Sequence, residues 1–233
     1  MLILTIDSAT PSLVVGLVDT DARRVLAETT VHACRHHNER LVPAIGEALA
    51  AIAAAPADLA GVVAGCGPGP FTGLRVGMAT AQAYADALDI PVWPVCTLDA
   101  MAASAVGQCV AGTSSLGDLL VVTDARRREW YYATYRDGQR ITEPNVGRPD
   151  AIIEQYAGQV GLVAAAAGLT DAAVEAFATS TVVETYPTPI ALASVANLAE
   201  PPEPLVALYL RRPDAKEPAR KPRSSALPPR SDT

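Results

Sequence analysis

Short hydrophobic runs rich in β-branched residues dominate the start of the chain. Each run is bounded by polar residues, which predicts buried strands over 2–6, 13–18 and 25–31. Three neighbouring strands joined by tight turns predict an antiparallel meander. From Leu41 to Ile52 the apolar positions recur every three or four residues, which predicts a helix with Asn38 as its N-cap.

The rest of the chain alternates strand and helix patterns. Strands are predicted over 59–66 and 91–95, and helices over 76–88 and 97–106. A later block begins with two strands that pair across a turn, over 118–123 and 130–135. Shorter segments then alternate helix and strand over 150–156, 160–165, 172–177 and 190–197. This order predicts an α/β fold with mixed sheets flanked by helices.

The predicted elements divide into two lobes, of which the second is smaller. We predict a first lobe over 1–112 and a second over 113–212, because 113–117 is polar and ends in glycine. Residues 213–233 are mostly Pro, Arg, Lys, Ser and Asp, which bury too little apolar surface to offset the entropy of ordering. We therefore expect this tail to be disordered.

The net charge of −7 is unevenly distributed over the 233 residues. From Arg211 onward there are seven basic and three acidic side chains, which leaves 11 basic and 22 acidic ones, a balance of −11, over 1–210. An acidic body repels nucleic-acid phosphates unless its basic groups cluster on one face. The charge therefore argues against a free-standing nucleic-acid-binding protein.

Cysteine spacing and hydropathy bear on the compartment. Four cysteines without a C-x-x-C spacing exclude a disulfide-stapled secreted module and a zinc ribbon. No apolar run approaches the ~18 residues that indicate a membrane span, and the N-terminus has no basic leader. We therefore expect a cytoplasmic protein without membrane contact.

Polar residues directly follow the first predicted strand, at Asp7, Ser8 and Thr10. A carboxylate and hydroxyl groups at the end of a buried strand can hold Mg²⁺ or position a phosphate. The same residues are typical of an Asx turn, in which the carboxylate accepts hydrogen bonds from its own backbone. The spacing alone favours the Asx turn.

The run from Gly67 to Gly77 carries more information. Its glycines permit close backbone approach, and the helix that follows directs its N-terminus at the loop, as in anion-binding sites. Because the run is neither a P-loop nor a Rossmann fingerprint, a rigid strand-to-helix connection is an equally good interpretation. The candidate nucleotide or phosphate loop comprises Asp7, Ser8, Thr10, Gly67, Gly69, Thr72, Gly73 and Arg75.

Two predicted helices carry faces suited to close packing. Small side chains of the second helix form two rows at i+4 spacing, Ala79-Ala83-Ala87 and Gly77-Ala81-Ala85. Such rows let another helix approach closely, and the first helix has a broad apolar face. These faces either pack on their own sheet or form a contact between subunits. We predict a partner interface at Leu41, Ile45, Leu49, Ile52, Ala79, Ala83 and Ala87.

The remaining polar clusters predict no catalytic or metal-binding residues. His36 and His37 have no histidine one helical turn later, and no Ser/His/Asp arrangement stands out. The turn Arg126-Arg127-Arg128 precedes an aromatic strand. We interpret it as a charged hairpin turn, with a base-stacking RNA patch as the alternative.

Six motifs follow one another along the chain. They are Asp7-Ser8-Ala9-Thr10, His37 leading into Arg40-Leu41-Val42-Pro43, the Gly67–Gly77 run, Thr97-Leu98, Asp124-Ala125-Arg126 and Tyr209-Leu210-Arg211. In this order they resemble the TsaB (YeaZ) family, a partner in making the threonylcarbamoyladenosine modification of tRNA. The resemblance covers about residues 1–212.

The resemblance implies an actin-like ATPase fold, that of the ASKHA superfamily of sugar kinases and Hsp70, with a reduced second lobe. It also implies a paralogue of TsaD, the subunit that transfers threonylcarbamoyl to the adenosine beside the anticodon. TsaD-like proteins hold a metal with two histidines one helical turn apart. Here His37 matches the first of these, and Leu41 stands in place of the second.

We therefore predict a non-catalytic subunit that binds and activates a TsaD-like catalytic subunit through the helices at about 39–54 and 76–88. The chain alone is expected to bind no cofactor, whereas the complex uses ATP and Mg²⁺. A TsaE-like ATPase is a further expected partner, tRNA is contacted indirectly through the complex, and the isolated chain forms a homodimer.

Three alternatives stay open at this point. The first is an ATP-dependent phosphotransferase of the same fold that uses Asp7 and the loop over 67–73. The second is a metallopeptidase-like protein, which requires a tightly bound metal. The third is a direct tRNA-binding module that uses the Arg126–Arg128 turn, against which the acidic charge of the body speaks.

Overall fold

A computed structural model describes residues 1–109 and 117–211. Its first half contains five strands and three helices, with a short 3-10 turn at Pro56–Asp58. These elements are β1 (Leu2–Asp7), β2 (Leu13–Asp19), β3 (Arg24–Val31), α1 (His37–Ala51), β4 (Gly61–Gly65), α2 (Phe71–Leu88), β5 (Val92–Val95) and α3 (Thr97–Cys109).

The second half contains shorter elements. They are β6 (Leu119–Asp124), β7 (Trp130–Arg136), β8 (Gln139–Arg140), β9 (Asn145–Gly147), α4 (Pro149–Tyr156), β10 (Leu162–Ala165), α5 (Thr170–Ala176), β11 (Thr181–Glu184) and α6 (Pro189–Val195). Helices α4 to α6 have 8, 7 and 7 residues, against 15, 18 and 13 for α1 to α3, so the reduction of this half lies in its helices.

Both halves connect their strands in the same way. In the first sheet the order is β3-β2-β1-β4-β5, with β1 antiparallel to β2 and parallel to β4. In the second the order is β11-β10-β6-β7-β8, with β6 antiparallel to β7 and parallel to β10. A repeated meander followed by parallel crossovers is the arrangement of the actin-like ATPase fold. The predicted fold class is confirmed.

The helices interlock the two halves. The crossing helix α3 packs on the second sheet, where Leu98 and Met101 contact the core around Leu119 and Tyr135. The last helix, α6, returns to the first sheet, where the fully buried Leu192 packs among residues of β1, β2 and β4. Each sheet therefore depends for its apolar cover on a helix from the other half of the chain.

Most predicted elements are present, but two helix starts differ from the prediction. Helix α1 begins at His37, with His36 and not Asn38 at the N-cap position. Helix α2 begins at Phe71 and not at Val76, so Gly73 lies inside its first turns. Glycine disfavours helices, so its presence hid the true start. The strands β8, β9 and β11 were not predicted because each is short and partly exposed.

Some expectations lie outside the described residues. The predicted boundary between 112 and 113 falls in the stretch 110–116, and the predicted disordered tail is 213–233. Among the described helices, none is both long and apolar enough to cross a membrane.

The interlocked helices predict that both halves unfold together. Trp93 belongs to the first sheet and Trp130 to the second, so each reports on one half. Urea unfolding of W93F and W130F, followed by the fluorescence of the remaining tryptophan, should give coincident transitions. Leu192→Ala should lower the unfolding free energy seen by both probes by about 2–5 kcal/mol.

The control is Val174→Ala, because the Val174 side chain on α5 is 54% exposed. Its effect should stay within about 0.5 kcal/mol. Separate transitions for the two tryptophans, or a loss confined to Trp93 in the Leu192→Ala protein, would contradict the interlocked arrangement.

Candidate functional site

The Asp7 carboxylate lies at the C-terminal end of β1 and is completely buried. Its Oδ1 accepts a hydrogen bond from the Ala9 backbone N–H at 2.9 Å, which makes the Asx turn favoured by the sequence. Its Oδ2 accepts one from the Thr97 hydroxyl at 2.7 Å. The Thr97 oxygen in turn accepts the Gly67 N–H at 3.1 Å. Asp7 thus joins β1, the loop after β4 and the first residue of α3.

Burial sets the protonation of this group. Desolvation raises the pKa of Asp7 to about 6, although hydrogen bonds from Thr97 and from the backbone of Ala9 and Thr10 favour the charged form. At neutral pH the carboxylate is therefore ionised, and the donors around it are engaged with it. Both of its oxygens are used in holding the chain together.

The glycine run packs against the turn that follows β1. A Cβ at Gly69 would overlap the Ala9 carbonyl, and a Cβ at Gly73 would lie 2.7 Å from the Ser8 carbonyl oxygen. The Ser8 hydroxyl donates a hydrogen bond to the Gly73 carbonyl at 2.7 Å. The two parts of the candidate phosphate loop therefore touch each other directly. This contact gives the glycines a packing role, and phosphate binding by the loop stays a prediction.

The other hydroxyls of the candidate loop differ in exposure. The buried Thr10 hydroxyl is engaged with the backbone of Ser12 at 3.1 and 3.2 Å. Thr72 is exposed in the first turn of α2. Arg75 points away from the loop, since its Nε donates a hydrogen bond to the Tyr209 hydroxyl at 2.7 Å. Phosphate binding by Arg75 stays a prediction.

A cleft of about 670 Å³ lies between the two lobes. The first lobe contributes Ser8, His37 and Thr72 to its wall, and the second contributes Asp124 and Arg126. The His37 Nε2 atom is buried and has no hydrogen-bond partner among the described residues. Desolvation lowers the pKa of His37, which favours the neutral imidazole. One helical turn later, Leu41 is fully buried in the core.

Metal-binding side chains do not cluster within residues 1–109 and 117–211. No group of three or more His, Cys, Asp or Glu side chains in these ranges is arranged to hold a metal ion. A protein zinc site uses three or four such ligands. The cleft that His37 lines is also lined by Asp124 and Arg126 of the second lobe. Of these two side chains, only that of Asp124 is of a metal-binding type.

The segment 201–211 forms a strap that reaches both lobes. The Leu208 N–H donates to the Cys66 carbonyl at 2.9 Å, and the Tyr209 ring stacks on Phe71 with 5.3 Å between centroids. At its end, Arg211 donates to the Ala125 carbonyl at 2.9 Å and forms an ion pair with Glu129. The strap therefore fastens the start of α2 to the turn between β6 and β7.

The β6–β7 turn has an unusual backbone. Arg126, Arg127 and Arg128 have φ angles of 63°, 52° and 60°, the left-handed region, and all three side chains are exposed. The turn closes a hairpin, as the sequence predicted, and the Ala125 N–H donates a hydrogen bond to the Glu129 backbone carbonyl at 2.9 Å. Each left-handed non-glycine residue costs about 1–2 kcal/mol, so this turn stores strain in three consecutive arginines.

The structure corrects the predicted interface on α1. Leu41, Ile45 and Leu49 are at most 5% exposed and belong to the core under the first sheet, and Ile52 packs against that core. An apolar stripe on a helix is first satisfied by its own sheet, so Leu41, Ile45 and Leu49 are not available to a partner, whereas Ile52 is half-buried. The exposed positions of α1 include Val42, Gly46 and Ala50.

The two rows of α2 face opposite ways. Gly77, Ala81 and Ala85 are buried against the first sheet. The row predicted for the interface, Ala79, Ala83 and Ala87, is exposed. Because α1 and α2 are neighbours on the same face of this sheet, their outer surfaces lie side by side.

Comparisons with known proteins agree with this architecture. Residues 27–199 match the family model described as TsaD: tRNA N6-adenosine threonylcarbamoyltransferase. An uncharacterized Mycobacterium tuberculosis protein is 47% identical over 214 residues, or 92% of this chain and 93% of that protein. The Bacillus subtilis tRNA threonylcarbamoyladenosine biosynthesis protein TsaB is 34% identical over 156 residues, or 67% of this chain and 64% of that protein. The chain belongs to the TsaB (YeaZ) family.

A solved TsaB-family structure has the same fold. YeaZ from Pseudomonas aeruginosa superposes with a TM-score of 0.70 at 23% identity, covering 90% of this chain and 99% of that chain. The family resemblance seen in the sequence is confirmed. The motifs that carried it meet at one place, since Asp7, Thr97 and the glycine run form the buried network, and Tyr209 and Arg211 form the strap.

Sequence reasoning missed the roles of Thr97, Tyr209 and Arg211. They were noticed only as parts of motifs, because each acts on residues far away along the chain. Thr97 is 90 residues from Asp7, and Tyr209 is 134 residues from Arg75. No local pattern reports such a contact.

The raised pKa of Asp7 predicts a pH-dependent stability. Its folded pKa of about 6 lies above the unfolded value of about 3.9, so its contribution is fully present below about pH 4 and is lost as the pH rises through 6. Asp7→Asn removes this titration. The unfolding free energy of Asp7→Asn minus that of the wild type should therefore grow by about 3 kcal/mol from pH 4 to pH 7.

Urea titrations at several pH values measure this difference. Asp150→Asn is the control, because the Arg148 hydrogen bond lowers the pKa of Asp150 and gives its pH trend the opposite sign. A difference between Asp7→Asn and the wild type that does not change with pH would show that the Asp7 carboxyl is not desolvated as described.

The strained turn predicts a stabilising substitution. Glycine adopts left-handed φ angles without a steric penalty, so Arg128→Gly should raise the unfolding free energy. The gain should be about 0.5–1 kcal/mol, because the added freedom of the unfolded chain offsets part of the relieved strain. Arg148→Gly, at a residue with φ −73°, is the control and should not stabilise. Thermal unfolding of both variants provides the measurement, and a destabilised Arg128→Gly protein would contradict the strain.

Proposed function

We propose that the chain acts in the biosynthesis of threonylcarbamoyladenosine in tRNA, as a non-catalytic subunit that binds and activates a TsaD-like threonylcarbamoyltransferase. Membership of the TsaB family supports the pathway. The outer surface of α1 and α2 supports the manner of action. It is the single observation that carries the proposal.

This helix surface has the composition of a close helix-packing site. Val42 is 52% exposed, and a Cβ at Gly46 would meet no atom within 4 Å. On α2 the exposed row is Ala79, Ala83 and Ala87. Small side chains allow two helices to approach closely and bury backbone as well as side chains. A partner helix lying along the groove between α1 and α2 would contact both sets.

The hydrogen bonds and packing beside the cleft support a role in complex assembly rather than in catalysis. Both oxygens of Asp7 are used by Ala9 and Thr97, and the glycine run is packed on the Ser8–Thr10 turn. A phosphotransferase would need these groups to face its substrate. We therefore place ATP and Mg²⁺ with the complex rather than with the isolated chain.

The same surface also bears on self-association of the chain. A second copy of the chain can present the same small-residue face, so a homodimer of the isolated chain competes with the TsaD-like subunit. We further propose that a TsaE-like ATPase acts on the assembled complex. Activation then consists of fixing the conformation of the TsaD-like subunit through α1 and α2.

The interface predicts a loss of assembly on charge insertion. The double change Val42→Glu with Ala83→Glu places two carboxylates on the outer surface, where burying them against a partner is unfavourable. Co-purification with the TsaD-like subunit should fall at least tenfold, while the thermal unfolding of the chain stays nearly unchanged, because both positions are exposed.

A matched control exists on α5, where Val174 and Ala172 are also exposed. Ala172→Glu with Val174→Glu adds the same charge elsewhere and should leave co-purification intact. Full retention of the TsaD-like subunit by the Val42→Glu, Ala83→Glu protein would show that the outer surface of α1 and α2 is not the interface.

A further inference from the structure

We propose that Phe71, Arg75, Val206 and Tyr209 form a second contact for the TsaD-like subunit, beside the outer surface of α1 and α2. These four side chains are called the strap cluster below. The inference rests on the proposed function for the identity of the partner. It adds the strap to the parts of the chain that meet that partner.

The strap cluster gathers large apolar side chains that the fold leaves exposed to solvent. Val206 is 68% exposed, more than any other large apolar side chain in the described residues, and Phe71 and Tyr209 are 45% and 43% exposed. The two rings stack with 5.3 Å between their centroids, and Val206 lies three residues before Tyr209 in the strap. Single exposed apolar side chains are common on soluble proteins, whereas several together mark a contact surface.

Internal contacts hold the strap cluster in place before a partner binds. The Arg75 Nε donates a hydrogen bond to the Tyr209 hydroxyl at 2.7 Å, and its guanidinium carbon lies 3.8 Å from the Phe71 ring centroid. The strap backbone is fixed next to Tyr209, where the Leu208 N–H donates to the Cys66 carbonyl at 2.9 Å. Side chains that are already ordered lose less conformational entropy on binding. A partner therefore buries these rings at a low entropic cost.

The residue types of the strap cluster are those that dominate the binding energy of protein interfaces. Tyrosine and arginine are enriched among interface hot spots, and phenylalanine is enriched in interface cores. The Arg75 guanidinium is held by a hydroxyl and a ring, and no carboxylate of the described residues forms an ion pair with it. A complementary surface is therefore apolar around the two rings and brings a carboxylate or a backbone carbonyl to Arg75.

Helix geometry joins the strap cluster to the outer surface of α1 and α2. Phe71, Arg75 and Ala79 follow one another at intervals of four residues on α2. Each such step advances about 6 Å along the helix axis and about 40° around it. Arg75 is therefore a neighbour of Ala79, the first residue of the exposed row. A partner helix that packs along this row towards the start of α2 reaches Arg75 and then Tyr209, to which Arg75 is bonded.

Two other occupants fit the strap cluster less well. A symmetric contact between two copies of the chain, centred on the cluster, would bring the two Arg75 guanidinium groups together, and like charges repel. An RNA base needs an open ring face on which to stack, whereas the Arg75 guanidinium covers one face of the Phe71 ring. The TsaD-like subunit is the occupant that the proposed function supplies.

The test measures the dissociation constant of the chain for the purified TsaD-like subunit by isothermal titration calorimetry. Val206→Asp should raise this constant by about tenfold or more, because burying the new carboxylate against a partner is unfavourable. The thermal unfolding of the variant should match that of the wild type, since the Val206 side chain is exposed. Tyr209→Ala removes the ring that Arg75 holds and should weaken binding by a similar factor.

The matched control is Val174→Asp on α5, where the side chain is 54% exposed. It makes the same substitution and the same change of net charge away from the strap, so it should bind the TsaD-like subunit like the wild type. An equal loss in this control would assign the effect to net charge and overturn the inference. The Val42→Glu, Ala83→Glu protein is measured alongside, because it tests the helix surface without changing the strap cluster.

Three further results would overturn the inference. The first is unchanged affinity of Val206→Asp and Tyr209→Ala beside a weakened Val42→Glu, Ala83→Glu protein, which would leave the proposed function standing. The second is a loss of self-association, measured by sedimentation, with unchanged affinity for the TsaD-like subunit, which would assign the strap cluster to a second copy of the chain. The third is a complex that assembles normally but binds a tRNA transcript more weakly, which would make the cluster an RNA contact.

Discussion

The buried carboxylate of Asp7 is the interaction on which the rest of the structure depends. It accepts hydrogen bonds from Ala9 and from Thr97, and the Thr97 hydroxyl holds the Gly67 N–H. Thr97 is the first residue of α3, the helix that crosses to the second sheet. One charged group therefore fixes the turn after β1, the loop after β4 and the direction of the crossing helix. A buried charge is costly, and here the geometry it imposes is shared by both lobes.

The Asp7 network also explains which parts of the fold could be predicted from the sequence and which could not. Strands such as β1, β2 and β6 were predicted because an apolar run bounded by polar residues is a local signal. The start of α2 was misplaced because Gly73 is kept for its contact with Ser8, which is distant in the chain, and not for its helix propensity. The face of α1 that was predicted to contact a partner was chosen wrongly for a related reason. Leu41 and Ile45 form an apolar stripe, and periodicity reveals such a stripe without revealing what covers it.

Helix α2 connects the strap with the outer surface of α1 and α2. Phe71, Arg75, Ala79, Ala83 and Ala87 follow one another at intervals of four residues, so each is a neighbour of the next along a row that winds slowly around the helix. The first two hold Tyr209 of the strap, and the last three form the exposed row. A partner that packs along the row therefore approaches the residue, Arg75, that holds the strap in place. Through Arg211 the strap ends on the arginine turn.

The polar residues beside the cleft have a structural use. The Asp7 carboxylate and the glycine run hold parts of the first lobe together, and helices α3 and α6 pack across the two halves of the chain. Under the proposed function, these contacts position the outer surface of α1 and α2 for a partner subunit.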